Sequence, residues 1–180
     1  MIKIAVVEDQ KKWSDLIASF LNQYKQETKT SFEVFYFTNG EDFIQNYKKN
    51  YDLIFMDVAM PKMNGLETSK ALRKIDSEVC LVFLTEMAQY AIEGYEVNAY
   101  DFLIKPMEYD FFKIKMNKFV MHIQSISDSY LVINSANTIR KIKLSEIKYI
   151  ESIKHYVYFH CKDDTVRTRD SLDNIKGKIK

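Results

Sequence analysis

Four places in this 180-residue chain join an apolar run to a side chain that can handle charge. Glu8 and Asp9 follow the run 2–7, Asp57 follows 52–56, Thr85 follows 79–84, and Lys105 with Pro106 follows 100–104. Three carboxylates gathered at one edge repel one another unless a hard cation joins them, and oxygen ligands with open water positions suit Mg²⁺. Thr85 and Lys105 add a hydroxyl and an ammonium, both phosphate-binding groups. A carboxylate that attacks a phosphoryl group needs its own charge and the phosphate's neutralised. Mg²⁺ and Lys105 supply that neutralisation, Thr85 donates a hydrogen bond, and Asp57 is the expected acceptor.

The elements that must position these groups follow a repeating pattern. The apolar run 2–7 precedes a helical spacing at Trp13, Leu16, Ile17, Phe20, Leu21 and Tyr24. The unit recurs as 32–37 then 41–48, 52–56 then 66–75, 79–84 then 88–95, and 100–104 then a long helix over about 108–126. Five strands alternating with five helices predict an α/β fold, a doubly wound parallel sheet covered on both faces. In the order 2-1-3-4-5 the first and third strands are neighbours, and the acidic groups fall at the carboxyl ends of strands, where such sheets carry their chemistry.

The stretches VVEDQ, LIFMDVAMPKMNG, FLTEM and FLIKP, at these spacings, resemble the receiver domain of bacterial response regulators over residues 1–125. The resemblance implies a phosphoacceptor rather than an enzyme, with a sensor histidine kinase as donor to Asp57. Self-phosphorylation from small donors and self-dephosphorylation would be slow at most. It further implies Asp9, Asp57 and the backbone carbonyl of Ala59 as direct Mg²⁺ ligands, with Glu8 acting through water. Pro106 would follow a cis peptide bond that aims Lys105 into the site. Phe102 falls where a switch aromatic is expected. Thr85 would move toward the phosphate while Phe102 turns inward, repacking the face of the fourth helix, fifth strand and fifth helix and favouring a homodimer. A plain core role for Phe102 is the alternative, and the two can coexist. Ala59 and Met87, two residues past Asp57 and Thr85, cannot orient an attacking water by hydrogen bonding, so the phosphate should be long-lived.

After a polar join at 124–129 the pattern changes to short β-branched and aromatic runs at 130–133, 138–142, 147–153 and 156–161, a small and mainly β segment spanning 130–180. Turn signals at 135–137 and 162–164 fit hairpins, and the stretch from Asp170 opens a short helix. The stretch IRKIKLSEIKYIESIKHYVYFHC resembles the first part of a LytTR-type DNA-binding domain. That resemblance implies direct-repeat promoter DNA as partner, His155 as a base contact and Lys154 as a phosphate contact. An exposed turn histidine and a solvated lysine are the plain alternatives. The family's R-x-H-x-S-x-x-V-N stretch does not occur before Lys180. A second reading is therefore a shortened regulator that accepts phosphate and pairs with partners but has lost DNA readout.

Charge divides along the same line. Residues 1–130 hold 15 Lys and Arg against 19 Asp and Glu, whereas 131–180 hold 11 against 6, so a net −4 segment precedes a net +5 one. The basic end suits a polyanion, or a solvated face. Cys80 and Cys161 lie far apart with no metal-ligand spacing, and no apolar run reaches the length of a membrane span, which together suggest a cytoplasmic protein with reduced thiols. A magnesium-dependent phosphatase would also use an aspartyl nucleophile, but Asp57-Val58-Ala59 lacks the second aspartate that would serve as its acid.

Overall fold

The computed structural model describes residues 1–91, 93–127, 130–135 and 138–179, which form two compact units, 1–120 and 121–180. In the first, the strands β1 (Ile2–Val7), β2 (Phe32–Phe37), β3 (Leu53–Met56), β4 (Cys80–Thr85) and β5 (Asp101–Ile104) pair in parallel in the order β2-β1-β3-β4-β5. Every residue of β3 and β4 is buried, as expected of central parallel strands with both faces covered. That is why these runs are continuously apolar rather than alternating.

Helix α1 (Lys11–Thr28) buries Ile17, Phe20, Leu21 and Tyr24, a set spaced at one helical face. It ends at Lys29, which takes a left-handed φ of 55° and closes the helix by donating its N–H to the Lys25 carbonyl. Helix α2 (Gly40–Gln45) is capped by Asn39, and α3 (Gly65–Ile75) by a reciprocal capping box between Asn64 and Glu67. The long helix α4 (Tyr109–Ser127) buries Phe112, Met116 and Phe119. Rings of Phe20 and Phe55 meet Phe112 at 5.3 and 5.9 Å between centroids, so α1 and α4 cover the same face of the sheet. Burying such a side chain stabilises the fold by about 1.5–3 kcal/mol.

The fourth crossover differs from the expected helix over 88–95. It consists of two 3₁₀ segments, Ala88–Ala91 and Glu93–Val97, with Ile92 outside the described residues. Gly94 falls in the middle of the stretch, where it costs an α-helix about 1 kcal/mol relative to alanine. Gly94 is buried, and a Cβ there would come 3.6 Å from the Phe83 ring.

In the second unit β6 (Tyr130–Ser135) pairs with β7 (Thr138–Lys143), while β8 (Ile147–Ile153), β9 (Tyr156–Cys161) and β10 (Thr165–Thr168) form an antiparallel sheet in the order β10-β9-β8. Helix α5 (Leu172–Lys178) follows, capped by the Ser171 hydroxyl. Leu131, Ile133, Ile142, Val157, Phe159, Val166 and Ile175 form its core. Strand β10 was not among the expected strands. The anticipated turn at 162–164 is the β9–β10 hairpin, whereas Ala136 and Asn137 of the turn at 135–137 lie outside the described residues. No described helix is long and apolar enough to cross a membrane.

Candidate functional site

The parallel register brings the chemically able residues of the first unit to one end of the sheet. The Asp57 N–H donates to the Val7 carbonyl at 2.9 Å and the Lys105 N–H to the Thr85 carbonyl at 2.9 Å, so the chain just past β3 is tied to the end of β1 and the chain just past β5 to the end of β4. Glu8, Asp57, Thr85 and Lys105 are all buried, an arrangement that costs free energy unless each charge finds a partner. The Lys105 ammonium is that partner. It is hydrogen-bonded to Glu8 Oε2 and lies 3.2 Å from Asp57 Oδ2. Asp57 Oδ1 accepts from the Ala59 N–H at 3.3 Å, and Glu8 Oε1 from the Gln10 N–H at 3.2 Å. Burial pushes the Glu8 carboxyl up to about 7, against the hydrogen bond from Lys105, which pulls it down.

One carboxylate oxygen from each of Glu8, Asp9 and Asp57 lies within 4.8 Å of the other two. Asp9 Oδ1 is buried and has no hydrogen-bond partner among the described residues. An orphaned carboxylate oxygen beside two more carboxylates fits a hard divalent cation, which would supply the missing partner. The Lys105–Pro106 peptide bond is cis. Thr85 is fully buried, and its hydroxyl accepts from the Met87 N–H at 3.3 Å. Phe102 is partly buried, with its ring 5.8 Å from that of Phe83, so it is a core contact at the edge of the sheet in this conformation.

Two contributors lay outside the sequence argument. Trp13, in the first turn of α1, has its ring 5.4 Å from the Lys105 ammonium and 4.6 Å from that of Lys12, within cation–π range of both. Its indole N–H is buried without a hydrogen-bond acceptor among the described residues. The signal that would have found it is its place four residues after Asp9, on a helix that begins at the acidic edge. Gly65 is the other. A Cβ built there would lie 2.0 Å from the Asp57 carbonyl oxygen, and the Gly65 N–H donates to the Val58 carbonyl at 3.0 Å. Only hydrogen fits between the end of β3 and the start of α3.

In the second unit, Lys154 and His155 form the two-residue turn that closes the β8–β9 hairpin, between the paired Ile153 and Tyr156. Both are exposed, and Lys154 takes a φ of 57°, a conformation few non-glycine residues adopt. His160, one strand over, is held on three sides. Its ring stacks on Tyr149 at 4.2 Å, Nε2 lies 2.8 Å from Glu151 Oε1 and Nδ1 lies 3.2 Å from the Thr165 hydroxyl.

The response regulator receiver domain profile matches residues 4–116, which include the whole acidic cluster. The chain belongs to the response regulators. The LytTr DNA-binding domain profile matches residues 137–180. Among curated relatives, the sensory transduction protein LytT of Bacillus anthracis is 27% identical over 99% of this chain and 77% of its own length. LytT of Oceanobacillus iheyensis is 26% identical over 78% of this chain, and the match spans only 61% of that relative. Among solved structures, the response regulator TrrA of Thermotoga maritima, in complex with Mg²⁺-BeF, is 27% identical with a TM-score of 0.58, over 66% of this chain and 99% of the other. The response regulator fold and the strand order expected from the sequence are therefore those of the protein.

Proposed function

We propose that this response regulator accepts a phosphoryl group on Asp57 from a sensor histidine kinase and passes the signal to a DNA-binding LytTR segment that controls transcription in the cytoplasm. The observation that carries the reading is the Lys105 ammonium 3.2 Å from Asp57 Oδ2, beside three carboxylates whose oxygens lie within 4.8 Å of one another. Asp9, Asp57 and the Ala59 carbonyl would hold Mg²⁺, with Glu8 acting through water. When bound, the ion would supply charge neutralisation for the phosphoryl transfer.

The remaining work falls to the chain's own groups. An Asp57 oxygen attacks phosphorus in line with the leaving histidine nitrogen, forming an acyl phosphate as the phosphorus–nitrogen bond breaks. Lys105 stabilises the charge on the transferred phosphoryl oxygens, and the Thr85 hydroxyl exchanges its contact with the Met87 N–H for one to the phosphate. Movement of Thr85 leaves space for the half-buried Phe102 to turn inward, and the repacked face favours a homodimer. Two LytTR segments then bind direct-repeat DNA together, through His155 on a base edge and Lys154 on a phosphate, with the second contact effectively intramolecular.

Intact mass spectrometry after incubation with acetyl phosphate and Mg²⁺ tests the chemistry. One added phosphoryl group on the native chain and none on Asp57→Asn is the expected pair of results. Labelling of the Asn variant would remove Asp57 from the role.

A further inference from the structure

Two open grooves in the second unit meet at a single residue. The first is lined by Thr138, Tyr156, Arg167 and Arg169, among others, and the second by Lys154, His155, Arg169 and Ser171, among others, with Arg169 alone common to both. Arg169 is exposed and forms no hydrogen bond or ion pair with any described residue. Its neighbours differ. The Arg167 guanidinium lies over the Tyr156 ring at 5.4 Å, which holds it in place. Asp170 is the one acid among the described residues lining either groove, and its charge is already engaged. Its carboxylate accepts from Lys178 Nζ at 2.7 Å, Asn174 Nδ2 at 3.0 Å and the Ser171 N–H at 2.8 Å.

The lining therefore carries three cations, Lys154, Arg167 and Arg169, against one compensated carboxylate. We infer that Arg169 is a phosphate contact that seats a nucleic-acid backbone on the ridge between the two grooves, and so sets the depth at which the Lys154–His155 turn meets DNA. This rests on the DNA-binding reading above and deepens it, because it adds an anchor on a different segment from the hairpin. A guanidinium with no internal partner loses none when it takes up a phosphate, and its planar fork matches phosphate oxygens in pairs. Phosphate contacts position a protein on the duplex without reading its sequence. Loss of Arg169 should thus weaken binding equally on every sequence, unlike loss of His155.

The test is fluorescence anisotropy of the full chain with a labelled 20-base-pair duplex, of mixed and of direct-repeat sequence, across a salt series. Arg169→Ala should lower the magnitude of the log K against log salt slope by about 1 and weaken both duplexes by the same factor. Arg169→Lys keeps the charge and should keep the slope, with retained far-UV circular dichroism as the folding control for both. An unchanged slope in Arg169→Ala while the native chain binds overturns the Arg169 assignment and leaves the DNA reading standing. Absence of salt-dependent binding by the native chain to either duplex overturns the DNA reading itself, and this inference with it.

Discussion

Lys105 Nζ lies 3.2 Å from Asp57 Oδ2 while also hydrogen-bonded to Glu8 Oε2, so one ammonium spans two buried carboxylates that arise from separate strands. All three side chains are at most 3% exposed. Removing one partner from such a cluster leaves uncompensated charge, which is far more costly than the pair is stabilising. Lys105→Met should therefore destabilise the metal-free protein by about 3–5 kcal/mol, and Mg²⁺ should restore much of that loss. Urea unfolding curves with and without the ion check both parts.

Trp13 is the single tryptophan of the chain and faces the same ammonium. A cation taken up by the carboxylates competes with Lys105 for them, and the field at the indole changes. Mg²⁺ should shift or quench Trp13 emission in a saturable manner, while Na⁺ at equal ionic strength should not. In Asp9→Asn the response should need much higher Mg²⁺ if the orphaned oxygen of Asp9 is one of the proposed donors. Identical titrations of the two proteins would contradict the assignment of Asp9.

Ala59 is exposed and apolar, and Met87 is 37% exposed with no group able to hold a water. The acyl phosphate on Asp57 should accordingly persist in purified protein for much longer than seconds. Met87→Glu should shorten its lifetime by about tenfold, well short of the 10²–10⁴ of an optimally placed general base. Phosphate release followed after removal of the donor gives both rates.

Asp170 contributes to the pH dependence of the second unit. The hydrogen bond from Lys178 holds its carboxyl well below the usual range, at about 2. A folded pKa depressed in this way contributes stability that is fully present above the unfolded value near 3.8 and is lost as pH falls through about 2. Carbon-13 NMR of the side-chain carboxyl should show that low midpoint in the native chain. In Lys178→Gln the midpoint should move up toward the ordinary value, and a midpoint that stays put would mean the ion pair is not the cause.

Much of this was legible because parallel strands are short, apolar and bounded by polar residues. Strand β2 and strands β8 and β9 have the limits expected from the sequence, and the site groups were recognisable as strand endings. The fourth crossover was not, because its apolar spacing satisfies a helix while Gly94 lowers the α-helical propensity of the stretch. Strand β10 escaped because Thr-Val-Arg-Thr is only four residues, with one aliphatic side chain, and its pairing with β9 decides its state. At the site, the spacing of residues announced which groups gather but not who holds whom. The reach of Lys105 to Glu8 crosses from β5 to β1, with β3 and β4 between them, and depends on the length of a lysine stem. Trp13 was read as one more apolar position of α1, since helical periodicity does not say that the ring ends over a cation.

The bare backbone at Gly65 has a reach larger than its size. A methyl group there would lie 2.0 Å from the Asp57 carbonyl oxygen, so the strand that leads into Asp57 and the helix that follows cannot be repacked independently. A position outside the acidic cluster is in this way tied to the Asp57 carboxylate eight residues earlier. An alanine at 65, although the better helix former, would be felt first as a displaced Asp57.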